Sequence, residues 1–78
     1  MPTVLQQDGF SVMIYTRDHM PRHVLVFRAE SEVIVNIDTL EVRDIFGMRV
    51  KDLRTALEIV AQHQAFLQNE WIRIKPIV

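Results

Sequence analysis

The densest cluster of side chains that could do chemistry lies at residues 17–23, Arg-Asp-His-Met-Pro-Arg-His. Histidine titrates near neutral pH and serves as a general acid or base, while a neighbouring carboxylate can orient its ring. Asp18, His19 and His23 are therefore candidate catalytic residues. The corresponding activity would be a histidine-dependent, RNase-like reaction or a metal-dependent one.

Two arginines of the same segment, Arg17 and Arg22, could bind an anion such as an RNA phosphate beside the histidines. Solvated surface charge is the more common role of such side chains. A metal ion needs three or more ligands with support from neighbouring groups, and a turn around Pro21 does not ensure that His19 and His23 ligate together. We therefore expect no metal and no cofactor.

A sheet must hold this segment, because runs rich in β-forming residues precede and follow it. Four such runs predict strands, at Val4-Leu5 and at residues 10–16, 23–29 and 32–38. Asp8-Gly9 is typical of a hairpin turn, and residues 39–47 could form a fifth strand or a helical turn. No helical pattern separates the strands, which favours antiparallel pairing.

Residues 51–71 predict one long helix, because apolar residues recur there at the spacing of an amphipathic helix. The apolar stripe consists of Leu53, Ala56, Leu57, Val60, Leu67 and Trp71. No Ser, Thr, Asp or Asn stands directly before Lys51, so no side chain is available to cap the helix start. The predicted fold is α+β, a four- to five-stranded antiparallel sheet followed by one long C-terminal helix packed on one face, in a single domain over residues 1–78.

Two polar residues, His63 and Gln64, lie near the centre of the apolar stripe and must face the sheet or its margin. His63 could be a histidine at the core edge that bonds to backbone. Alternatively, it could be a binding residue that reaches the strand bearing His23 and completes one cluster with it.

Alternation along the third predicted strand decides where His23 points, because His23, Leu25 and Phe27 share one face. We expect Val24 and Val26 to pack under the helix, which leaves the other three side chains on an outer face, away from the histidine of the helix. An apolar outer face on a small domain is typically covered by a partner or a second copy. Leu25 and Phe27 are therefore candidate binding residues, for a homodimer or for another small protein.

Composition narrows the class of protein. Hydrophobic residues make up 49% of the 78 residues and charged residues 24%, as in globular proteins. The net charge of −1 does not favour a dedicated nucleic-acid binder, and the absence of cysteine excludes disulfides and thiolate sites. No apolar run reaches the ~18 residues of a membrane span. We expect a cytoplasmic protein without a membrane partner.

Several motifs spread over nearly the whole chain point to a known family. They are the opening Met-Pro-Thr-Val, the Asp-Gly-Phe turn, Tyr15, the core Asp18-His19-x-Pro21-x-His23-Val24 and the helical series His63, Leu67 and Trp71. Together they resemble a bacterial family of short proteins, domain-of-unknown-function family 4160. The resemblance implies that the matching family positions are Asp18, His19, Pro21, His23, His63 and Trp71.

The chain departs from the family pattern in two places. The family usually has His-Val-His-Val where this chain has His23-Val24-Leu25-Val26, and it tends to place a capping Asn or Ser near Val50. Genes of the family often stand in two-gene modules of toxin–antitoxin type beside another short protein, which is an association and not a mechanism. Our first hypothesis is an interaction protein of such a module. The alternatives are the histidine-dependent enzyme and a regulatory nucleic-acid binder.

Overall fold

The computed structural model describes residues 3–15 and 19–74, and it contains a five-stranded sheet. The strands are β1 (Thr3–Gln7), β2 (Phe10–Met13), β3 (His23–Arg28), β4 (Ser31–Asn36) and β5 (Val42–Phe46). All pairings are antiparallel, and the order β1-β2-β3-β4-β5 makes chain neighbours sheet neighbours. The α+β prediction is confirmed, and the ambiguous segment 39–47 supplies the fifth strand.

The first hairpin turn shows why the sequence has Asp-Gly between β1 and β2. Asp8 has φ 53° and Gly9 has φ 81°, and a two-residue hairpin turn of this kind needs positive φ at both positions. A Cβ atom added at Gly9 would lie 3.0 Å from Nη1 of Arg28. Glycine therefore fits both the backbone conformation and the close approach of the arginine.

The prediction of one long helix is wrong, because the helical segment breaks at His63. Helix α1 covers Val50–Gln62 and helix α2 covers Gln64–Ile74, with His63 at φ −114° and ψ 23° between them. As expected, no side chain caps the start of α1, where Arg49 is the N-cap residue. Neither helix of the described residues is long and apolar enough to cross a membrane.

The core lies between one face of the sheet and both helices. The sheet side contributes Phe10, Val12, Ile14, Val24, Val26, Val33, Val35 and Ile37, and the helices contribute Ala56, Ile59, Val60, Leu67 and Trp71. Val24 and Val26 are fully buried, which confirms the inward face predicted for β3. Burying a side chain of this size stabilises the fold by about 1.5–3 kcal/mol, so this layer holds the helices on the sheet.

Candidate functional site

The candidate segment, residues 17–23, is described from His19 onward, and Arg17 and Asp18 lie outside the described residues. The side chain of His19 is exposed, as is that of Met20. The Met20–Pro21 peptide bond is cis. Of the predicted catalytic cluster, His19 therefore lies in solvent at the end of the sheet.

His23 is held between this segment and α2. Its Nδ1 lies 2.9 Å from the carbonyl oxygen of Pro21, and its ring centroid lies 5.6 Å from that of Trp71. A carbonyl oxygen only accepts, so Nδ1 of His23 carries the proton in this contact. We expected His23 on the outer face, away from His63, but at the first residue of β3 its ring contacts Trp71 of α2.

Arg22 forms a two-point ion pair with Asp38, in the turn that follows β4. Its Nε lies 3.1 Å from Oδ2 and its Nη2 lies 2.5 Å from Oδ1 of that carboxylate. The hydrogen bond from Arg22 lowers the pKa of Asp38, and a second bond from Gln68 adds to the effect. The same pairing raises the pKa of Arg22. The guanidinium predicted to bind an external anion thus has an internal partner.

The turn after β4 is shaped by Asn36 so that Asp38 meets Arg22. Oδ1 of Asn36 accepts hydrogen bonds from the backbone N–H groups of Asp38 (2.8 Å) and Thr39 (2.9 Å). Gln64 ties α2 to the same turn, because its Nε2 donates to the carbonyl oxygen of Ile37 at 2.8 Å. The sequence signal for this arrangement was Asn36-Ile37-Asp38-Thr39, an Asx-turn pattern that sequence reasoning missed.

His63 belongs to a different set of contacts. Its Nε2 lies 2.8 Å from Oε1 of Gln7 on β1, and Nε2 of Gln7 donates to Oε1 of Gln62 at 3.1 Å. Trp71, which contacts His23, lies eight residues further along, or about 12 Å of helix axis. The two histidines therefore have separate partners.

No group of three or more His, Cys, Asp or Glu able to hold a metal occurs among residues 3–15 and 19–74.

The sheet face opposite the helices, called the outer face below, carries five apolar side chains in adjacent positions. They are Met13, Leu25, Phe27, Ile34 and Phe46. Leu25 is only 6% exposed, because Met13 and Ile34 flank it across the strands, whereas Phe46 is 50% exposed. Phe27 is half-buried. Of the two predicted binding residues, Leu25 thus lies beneath the surface and Phe27 contributes to it.

Sequence reasoning missed Ile34 and Phe46 as members of the outer face. Ile34 was an apolar exception on the otherwise polar side of β4, which was the available signal. Phe46 lies on the outer face because it pairs with Glu32. This register depends on a bulge at Arg43, which has no cross-strand partner.

An open groove of about 840 Å³ lies at the end of the sheet where α1 begins. Its charged lining consists of Arg28, Arg49, Lys51, Asp8, Glu30 and Asp52. Arg28 is already engaged, because its Nη1 donates to the carbonyl oxygen of Asp8 at 3.0 Å and its guanidinium lies 5.0 Å from the ring centroid of Phe10. Three cations and three carboxylates balance, so the groove selects neither sign of charge.

Comparison with known families gives a match over most of the chain. The model of the family described as "Domain of unknown function (DUF4160)" matches residues 9–72 of the 78-residue chain. This span begins at the first hairpin turn and includes His23, His63 and Trp71. No match is found among curated proteins or among solved structures. The chain belongs to the family of the domain of unknown function DUF4160.

Proposed function

We propose that this chain is a cytoplasmic interaction protein that binds another small protein through the outer face, as one component of a toxin–antitoxin-like pair. The observation that carries the proposal is the apolar outer face itself. Both helices pack on the opposite side of the sheet, and Phe46 leaves half of its surface in solvent. A contiguous apolar surface on a small protein is typical of an interaction site.

The outer face has the layout of an interface centre. Leu25 forms a buried floor, Met13, Phe27 and Ile34 are half-buried around it, and Phe46 projects at one side. Aromatic anchors that lose their remaining exposure on binding supply much of the energy of protein–protein contacts. Phe46 is the anchor that a partner would cover.

The face is a better docking surface than the neighbouring edge of the sheet. β5 is an edge strand, and an unpaired edge can add a strand from another chain. Here Oδ1 of Asp44 accepts a hydrogen bond from the N–H of Ile45 at 3.0 Å, and the bulge at Arg43 interrupts the ladder. Both features oppose strand addition at β5.

The test is co-expression of the chain with the product of the adjacent gene, followed by measurement of the dissociation constant of the purified pair. Phe46→Ser should weaken the pair at least tenfold. Phe66→Ser is the matched control, because Phe66 is 43% exposed and lies on α2. Equal affinities for the two variants and the unsubstituted chain would rule out the outer face.

The histidine-dependent enzyme stays a second candidate on one observation. The side chain of His19, one of the predicted catalytic residues, is exposed to solvent four positions before His23, so its imidazole could take a proton from a substrate. The candidate predicts that His19→Ala and His23→Ala each abolish any effect of the chain on growth while leaving partner binding intact. The interaction proposal predicts that both variants keep the growth effect.

A further inference from the structure

One row of the outer face places a carboxylate between two phenyl rings. Glu32 on β4 pairs directly with Phe27 on β3 and with Phe46 on β5, so all three side chains share the face. Glu32 is half-buried. Among the described residues, no hydrogen bond or ion pair engages its carboxylate. Among these residues its carboxylate is therefore available to a cation that a partner protein presents.

The spacing of the row suits a cation. Neighbouring strands lie about 4.8 Å apart, so the columns of Phe27 and Phe46 are about 10 Å apart with Glu32 midway between them. A cation above Glu32 would lie about 5 Å from each phenyl column, within the ~6 Å range of cation–π attraction. The carboxylate of Glu32 would accept a charge-assisted hydrogen bond from the same cation.

We propose that the row Phe27–Glu32–Phe46 binds an arginine or lysine side chain of a partner protein. The proposal rests on the proposed function and specifies the chemistry of the partner at the same face. The two phenyl rings would flank the cation, and the carboxylate of Glu32 would supply the opposite charge. A partner would therefore present a cation beside apolar residues that cover Leu25 and Ile34.

Charge favours a different protein over a second copy of this chain. The paired positions of the outer face contain two carboxylates, Glu32 and Asp44, and no lysine or arginine. Packing two such faces together would bring carboxylates near carboxylates, and like charges at an interface oppose association. A cationic partner avoids this repulsion.

The experiment uses two synthetic 12-residue peptides of alternating leucine and arginine, or of leucine and citrulline. Citrulline has nearly the shape of arginine without its charge. NMR titration of the isotope-labelled chain should show amide shifts at Phe27, Glu32 and Phe46, with the arginine peptide binding at least tenfold more tightly. Glu32→Gln should remove this preference. Glu58→Gln, which changes an exposed carboxylate on α1, should retain it.

Three results would overturn the inference. They are equal binding of the two peptides, shifts confined to the groove at Asp8 and Asp52, and a dimer of the chain alone that Phe46→Ser dissociates. Failure of the inference is separable from failure of the proposed function. If a native partner binds the Glu32→Gln variant as tightly as the unsubstituted chain but does not bind Phe46→Ser, the cation site is wrong and the proposed interface stands. If the row binds the arginine peptide selectively but Phe46→Ser does not affect binding of the native partner, the cation site stands and the proposed interface is wrong.

Discussion

Asp38 is the residue that ties the candidate segment to the rest of the molecule. Its carboxylate accepts hydrogen bonds from Arg22 and Gln68, and so joins the start of β3 to α2. Arg22 and His23 could be singled out from the sequence because polar residues cluster there. Asp38, the partner of Arg22 sixteen positions away, could not be identified from the sequence, because its position depends on the turn that Asn36 stabilises.

Replacing Asp38 with Asn should destabilise the protein by up to about 1 kcal/mol at pH 7, since both partners of the ion pair are partly exposed. The folded-state pKa of Asp38 lies below its ordinary value because Arg22 stabilises the ionised form. Its contribution is therefore present above the unfolded pKa of about 4 and is lost as the pH falls through the lowered folded value. Urea unfolding from pH 6 to pH 2 measures this.

The acid-induced loss of stability should be smaller in Asp38→Asn than in the unsubstituted chain. Asp52→Asn is the comparison, because the Asp52 carboxylate has a longer contact of 3.8 Å with Arg28. If the Asp52 variant changed the pH profile as much as the Asp38 variant, the assigned role of the Arg22–Asp38 pair would be wrong.

At the scale of elements, the sequence predicted the strands well and the helix boundary poorly. Alternation in β3 identified Val24 and Val26 as inward residues, and both are fully buried. The break at His63 left no such trace, because Gln62, His63 and Gln64 carry no helix-breaking side chain. The break occurs where His63 forms a hydrogen bond to β1 and Gln64 forms one to the turn after β4.

Each helix should contribute separately to stability. Leu67 on α2 is fully buried, so Leu67→Ala should cost about 3 kcal/mol through lost burial and the cavity left behind. Ile72→Ala on the same helix should stay within about 0.5 kcal/mol, because Ile72 is 52% exposed. Urea unfolding compares the two. Similar losses for both variants would mean that α2 is not packed as described.

Two glycines offer a test of the first hairpin. Gly9 and Gly47 both have positive φ, at 81° and 73°, so alanine should cost about 1 kcal/mol at either position. At Gly9 the new Cβ would also lie 3.0 Å from Nη1 of Arg28, so the guanidinium must shift slightly, which weakens its bond to Asp8 and adds up to about 1 kcal/mol. Nothing lies within 4 Å of a Cβ at Gly47. Thermal unfolding should rank Gly9→Ala as the less stable variant, and the opposite order would contradict this geometry.

The whole molecule is a sheet with two different faces. One face carries the core and both helices, and the other carries the apolar outer face with Glu32 between Phe27 and Phe46. The inner face could be predicted because alternation within each strand reports it. The row Phe27–Glu32–Phe46 could not be predicted from the sequence, because its residues become neighbours only through the register of two strand pairs.

Hydroxyl-radical footprinting of the chain, alone and with its adjacent-gene product, tests the central claim that the outer face is the interaction surface. Phe46 and Phe66 are similarly exposed, at 50% and 43%, but lie on β5 and α2. Oxidation of Phe46 should fall several-fold in the complex, while oxidation of Phe66 and of the exposed Met20 stays unchanged. Protection of Met20 or Phe66 with Phe46 still oxidised would place the interface elsewhere and contradict the claim.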